Sequence, residues 1–318
     1  MAEIGTDITR AKMLLDSGQL VAIPTETVYG LACNALDARA ASRIFAVKNR
    51  PEFDPLIVHV ADLNDVGLYV TSIPTKARLL AERFWPGPLT LVLKKNSLIP
   101  DLVSAGLDTV GVRCPDHPLT RRLLESLAYP LAAPSANPFG YVSPTAATHV
   151  NDQLGNKIDY ILDGGTSSIG LESTIVGFEH EATPVVYRLG GLSLDSIQQL
   201  IGEVTLMPHS SSNPRSPGQL KNHYSPMKPL ITGDIKSLID KHRGQRLGIL
   251  SFRNDYTAGR QIILSASGSL EEAARNLFSA LRKFDQMDID VILAEFVPET
   301  GLGLAINDRL RRASSEQG

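Results

Sequence analysis

Residues 23–60 read IPTETVYGLACNALDARAASRIFAVKNRPEFDPLIVHV and crowd more chemistry into one stretch than a connector needs. The turn after Pro24 carries two hydroxyls, a carboxylate and a phenol, on Thr25, Thr27, Glu26 and Tyr29. Lys48 and Arg50 then put two cations at the end of a helical pattern, and His59 follows inside the apolar run 55–60. Each has an ordinary explanation when taken alone. Cations complement a helix C-terminus, threonines form turns, and a single strand histidine is usually a hydrogen-bonded core residue. Occurring together, they define a candidate site for an anionic ligand.

Further polar groups fall at element ends. Residues 109–115 alternate as a strand, so Thr109, Gly111 and Arg113 share one face. A hydroxyl beside a guanidinium on that face suits a carboxylate or phosphate. Residues 131–137, LAAPSAN, read as a buried strand ending in a small-residue turn where backbone N–H groups can approach a ligand. Ser143, Pro144 and Thr145 predict a helix start, and a helix N-terminus is an anion site.

The elements that must position these groups alternate between strand and helix. Helices are predicted over 7–17, from about 41 to 48, and over 74–85, 118–127 and 193–201. Strands are predicted at 20–23, 55–60, 89–93, 109–115, 131–137, 160–163, 173–177 and 185–188. The alternation implies an α/β domain with a large, mixed, twisted sheet. The stretch 207–227 changes composition to proline and serine, which leaves little to bury and marks a linker. Its second half is unusual for a spacer, combining Ser216-Pro217-Gly218 with His223-Tyr224-Ser225-Pro226. Beyond it, strands at 230–232, 246–252 and 290–296 interleave with helices at 235–241, 271–284 and 300–312, a small Rossmann-like βα domain. The division expected is therefore 1–206, a linker 207–227, and 228–318.

Bulk properties exclude several classes. The 318 residues, 43% hydrophobic and 20% charged, describe a globular chain of about two domains. A net charge of −3 argues against a dedicated nucleic-acid binder, which usually carries a basic surplus. Two cysteines without CxxC spacing, Cys33 and Cys114, offer no thiolate metal site and fit a reducing compartment. No apolar run is long enough to span a membrane, and residues 1–10 lack a signal-peptide layout, so a cytoplasmic protein is expected. P-loop, GxSxG and HExxH motifs are absent, and Gly301 to Ile306 matches a dinucleotide fingerprint only weakly.

The motifs PTETVYGL, K-x-R-P, DPLIVH, WPGP, SPG and HYSP, in that order, resemble the YrdC family of threonylcarbamoyl-AMP synthases in its long two-domain form. The resemblance implies a YrdC-like twisted sheet with flanking helices. It also implies condensation of L-threonine, bicarbonate and ATP into threonylcarbamoyl-AMP, with release of pyrophosphate. Mg²⁺ would accompany the ATP. A threonylcarbamoyl transferase acting on tRNA would be the partner, with at most weak tRNA contact by this chain and no membrane. By the family's motifs, Thr27, His59, Arg113, Ser173 and the backbone at Ala133 match threonine-binding positions. Arg50, Asp54, Thr109, Ser135, Ser143, Arg188 and Tyr224 match ATP-contacting positions, and Lys48 with Arg50 would face the phosphates as catalytic cations. Asp54 departs from the asparagine usual in that motif. Two rival readings are a double-stranded RNA binder, using a concave face of Lys48, Arg50, Arg113 and Arg188, and a carbamoyl-transfer module of larger maturation proteins.

Overall fold

Aspartates set the helix starts that the apolar periodicity predicts. Asp7 accepts from the backbone amides of Thr9 and Arg10 at the head of the helix Ile8–Asp16, and Asp37 caps Ala38–Lys48. The second helix ends where Asn49 turns left-handed at φ 52°, a conformation asparagine tolerates. That turn separates Lys48 from Arg50 and sends their side chains to different places.

The computed structural model describes residues 1–179, 183–207, 217 and 224–314. Its strands in chain order are β1 (Glu3–Gly5), β2 (Val21–Ile23), β3 (Gly30–Asn34), β4 (Ile57–His59), β5 (Leu89–Lys94) and β6 (Thr109–Arg113). There follow β7 (Leu131–Ala132), β8 (Tyr160–Leu162), β9 (Thr174–Glu179), β10 (Thr183–Arg188) and β11 (Thr205–Leu206). They form one mixed sheet in the order β1-β8-β2-β3-β7-β4-β6-β5-β9-β10-β11. β4 is wholly buried near its centre, paired parallel to β6 and antiparallel to β7. A second sheet, β12 (Leu230–Thr232), β13 (Leu247–Ser251), β14 (Arg260–Ile263) and β15 (Val291–Ala294), is parallel throughout in the order β12-β15-β13-β14. Both sheets and their flanking helices agree with the α/β reading. The strand β14, half-buried and led by arginine, was not foreseen.

One correction concerns the helix expected from Ser143. The helix begins at Ala147, with Ala146 at its N-cap and no side-chain cap, while Ser143 lies before it in irregular backbone. The Ser143 hydroxyl donates to Glu172 at 2.5 Å, so it is a link across the fold and not a helix cap.

The two sheets share buried surface. Val28, from the turn after Pro24, sits with Val142 and Leu171 in the same apolar cluster as Leu277, Phe278, Ile306 and Leu310 of the C-terminal helices Leu270–Asp285 and Gly303–Ser314. Gly170, at φ +79°, lets the backbones meet: a Cβ there would stand 2.5 Å from the Arg275 Cα. Most of the linker expected at 207–227, including Ser216, Gly218 and His223, lies outside the described residues; Pro217 and Tyr224 are described.

Candidate active site

The register of two parallel strands founds the site. His59 on β4 stands opposite Arg113 on β6, and Ile57 opposite Gly111. Arg113 is then fixed from two sides. Its Nε donates to the Gly87 carbonyl at 3.2 Å, and its Nη2 to Glu26 Oε1 at 2.5 Å. The other Glu26 oxygen accepts from the Asp116 amide at 3.0 Å. The corner 85–88 thus supplies a carbonyl to the site. Gly87 is required there, because a Cβ would fall 2.4 Å from the Phe84 carbonyl oxygen.

Hydroxyl protons in the turn are also assigned by their partners. Thr25 donates to the Val28 carbonyl at 2.6 Å, which uses its only O–H. Thr27, 2.8 Å away, must therefore donate to Thr25 and offer the remaining capacity of its oxygen as an acceptor. On the far wall Arg188 donates to the Ser173 carbonyl at 2.8 Å, to its hydroxyl at 3.1 Å, and to the Pro217 carbonyl at 3.3 Å. Ser173 also shares a 2.7 Å hydroxyl pair with Thr90.

These walls border one pocket, open on one side to solvent. Thr27, Arg50, His59, Arg113, Ala133, Ser135, Ser173, Arg188 and Tyr224 all line it. The sequence brings nine of its assigned residues to one place.

Four others are elsewhere. Lys48, 1% exposed, points beneath the loop 135–137 and donates to the carbonyls of Ser135 and Asn137, so it does not face the cavity. Asp54, fully buried, lies behind Arg50 with its Oδ2 at 2.9 Å from Nη2, an ion partner and not a ligand contact. Ser143 is buried against Glu172. Thr109 shares the face of Arg113, but four strand residues span about 13 Å, so hydroxyl and guanidinium are not side by side. Thr109 borders a separate hollow with Pro74, Val92 and Phe178. The loop amides also differ from expectation: the N–H of Ala133 donates to Ile57 and that of Ala136 to Tyr29, so neither is presented to a ligand.

Sequence reasoning gave no role to two carboxylates: Glu172, which lines the cavity, and Glu26, which pairs with Arg113 behind it. Glu26 stood in the turn motif and could have been found as the counter-charge Arg113 needs once buried. Glu172 directly precedes Ser173, which was the available signal.

The pocket is cationic, set by buried arginines. Arg50, Arg113 and Arg188 are each below 10% exposed. Burial pushes Arg50 and Arg188 below the usual arginine range, while nearby Asp54 and Glu172 respectively oppose the shift. His59 is pulled down to about 3, first by burial and then by the Arg113 charge, so at neutral pH its ring is a polar edge without charge. Its Nδ1–H donates to the Ile57 carbonyl at 3.1 Å, since a carbonyl only accepts.

A stability consequence follows from His59. Its folded value is depressed below the ordinary 6.5, so its contribution is full above pH 6.5 and is lost as pH falls toward 3. Between pH 6.5 and 5 the wild-type protein is expected to lose about 2 kcal/mol more than His59→Gln. Urea titrations at both pH values measure the difference; parallel losses would contradict it.

The fold is a mixed α/β sheet flanked by helices, with a pocket lined by three buried arginines. A family model described as "Telomere recombination" (Sua5, YciO, YrdC) matches residues 13–190, and one described as "Threonylcarbamoyl-AMP synthase, C-terminal domain" matches 192–315. The chain belongs to this Sua5/YciO/YrdC family. It is 45% identical to a threonylcarbamoyl-AMP synthase of Pyrococcus abyssi, over 93% of this chain and 91% of that one. It is 41% identical to that of Bacillus subtilis, over 96% and 92%. The crystal structure of P. abyssi Sua5 complexed with L-threonine superposes with a TM-score of 0.93 at 42% identity, covering 99% of this chain and 97% of that one.

Proposed function

We infer that the chain is an L-threonylcarbamoyladenylate synthase, a nucleotidyltransferase serving threonylcarbamoyladenosine modification of tRNA. L-Threonine, bicarbonate and ATP are its substrates. Bicarbonate gives CO₂ by losing hydroxide; the threonine amine bonds to that carbon, and its released proton joins the hydroxide as water, leaving a carbamate. A carbamate oxygen then attacks the α-phosphorus, the bond from that phosphorus to the β-bridging oxygen breaks, and pyrophosphate leaves. Both reactants are anions, so positioning and charge neutralisation supply the acceleration. No residue need act as a strong base once the carbamate exists.

The observation that carries the reading is the convergence of Arg50, Arg113 and Arg188 on one pocket beside Thr27, His59 and Ser173. Arg113, already fixed by Glu26 and Gly87, takes the threonine carboxylate. Thr27, as an acceptor, faces the amine or hydroxyl of the substrate, with His59 and Ser173 beside it. The P. abyssi structure with L-threonine supports a threonine site in this fold. Arg50 and Arg188 take the phosphates, with Ser135 and Tyr224 against the nucleotide. Mg²⁺ bound to the triphosphate would neutralise part of its charge, leaving Arg50 and Arg188 to orient the phosphates.

The product passes to a transferase acting on tRNA, in the cytoplasm. No helix among the described residues is long and apolar enough to cross a membrane. The double-stranded RNA reading loses its basis, because Lys48, Arg50, Arg113 and Arg188 are buried and form no exposed basic face. Purified protein with ATP, Mg²⁺ and bicarbonate is expected to release pyrophosphate only when L-threonine is added. Equal release without threonine would sink the assignment.

A further inference from the structure

Arg309 is the largest fully buried side chain of the described chain, although it sits on the C-terminal helix Gly303–Ser314, far in sequence from the pocket. Its guanidinium reaches across to the first sheet's loops. Nε donates to Glu172 Oε2 at 3.0 Å, Nη2 to the Leu189 carbonyl at 2.9 Å, and Nη1 to Asp308. Its cation also lies 4.5 Å from the centre of the Tyr224 ring, whose other neighbours include Phe278, stacked at 5.7 Å. Glu172 and Tyr224 both line the cavity; Arg309 does not.

We propose that Arg309 is a positioning residue for the nucleotide half of the pocket, supplied by the C-terminal domain. It neutralises Glu172 and seats the Tyr224 ring, so that a triphosphate meets Arg188 and Arg50 without a bare carboxylate among them. Burial works to raise Glu172, yet the Arg309 and Arg188 charges and the Ser143 hydroxyl keep it below its ordinary value, hence ionised. A buried ionised carboxylate in a wall that binds phosphates needs a permanent counter-charge, and arginine is the side chain that cannot give up its proton. Arg188 alone does not suffice, because its Nε and Nη2 are engaged with Ser173. The C-terminal domain therefore completes the electrostatics of the active site.

The proposal rests on ATP binding in this cavity, and its test separates the two. Dissociation constants for Mg·ATP and for L-threonine are measured separately by calorimetry on the full chain. Arg309→Met is expected to weaken ATP about ten-fold or more, as loss of one partner of a buried charge pair does, with threonine affinity changed less than about two-fold. Adding Glu172→Gln to Arg309→Met removes the carboxylate stranded in the cavity wall, while Asp308 keeps Arg312 as a partner at 3.7 Å, and ATP affinity is expected to return to within about three-fold of wild type. A merely structural role for Arg309 would lower urea stability and weaken both ligands together, whereas the proposal confines the loss to Mg·ATP. Unchanged ATP affinity in Arg309→Met, or no recovery in the double variant, overturns the proposal. Should Arg309→Met not fold, Arg309→Lys keeps the charge but loses the fork and is expected to bind Mg·ATP within about three-fold of wild type; a loss of about ten-fold or more there would overturn the charge-neutralising role. Absence of ATP binding in the wild-type protein would instead overturn the functional reading.

Discussion

Arg113→Ala is expected to weaken L-threonine binding by about 10- to 100-fold while leaving Mg·ATP binding within about three-fold of wild type. The loss is that of a charge-assisted hydrogen bond to a carboxylate, about 1.5–3 kcal/mol. The structure adds a second cost. Glu26, 5% exposed, would lose the Nη2 bond and keep only the Asp116 amide. Breaking a buried pair by removing one member destabilises by about 3–5 kcal/mol. The single variant therefore confounds folding with binding. Glu26→Gln with Arg113→Ala separates them: stability should return in large part, whereas threonine affinity should not. Calorimetric titration of both ligands, with urea melts of each variant, reads the two effects. Wild-type threonine affinity in the double variant would remove Arg113 from the substrate site.

What the sequence made legible was the set of walls, and what it hid was which side chains face inward. Strand periodicity placed Thr109, Gly111 and Arg113 on one face, which holds, but periodicity carries no distance along the strand. Thr109 is on the right face and about 13 Å from Arg113. Composition at residues 131–137 suggested backbone N–H groups presented to a ligand, but the Ala133 amide is consumed by Ile57 and that of Ala136 by Tyr29. Arg309 carried no readable signal. An arginine beside Leu310 in a helical pattern ordinarily lies on a solvated face, and only the tertiary fold reveals Glu172, residues distant by 137 positions, as its partner. The same limit explains Asp54. A carboxylate four residues after Arg50 reads as a ligand contact or a local ion pair with equal force. Burial decides for the pair, since both side chains are at most 3% exposed and 2.9 Å apart.

Lys48 shows how the left-handed Asn49 decides chemistry, and Lys48→Met is the sharpest test of it. Lysine beside arginine after a helix suggested two phosphate-facing cations. Instead the Lys48 amine lies under the loop 135–137, holding the Ser135 and Asn137 carbonyls, while Arg50 turns to the cavity. Burial and the neighbouring Arg50 charge pull the amine well below the ordinary lysine range. Either protonation state still supplies at least two N–H donors, which is what the two carbonyls require. Methionine fills the space and supplies none. Leaving two buried carbonyls without a donor costs about 1–3 kcal/mol each, so Lys48→Met should lose about 2–6 kcal/mol of stability. That is a sizeable share of the roughly 5–15 kcal/mol that folded domains possess. Because Ser135 lines the cavity on the loop that Lys48 anchors, ATP affinity should weaken in step with stability, and turnover should fall only as far as binding does. A catalytic cation would behave in the opposite way. Wild-type urea stability and wild-type dissociation constants, combined with a turnover reduced by orders of magnitude, would return Lys48 to the phosphates.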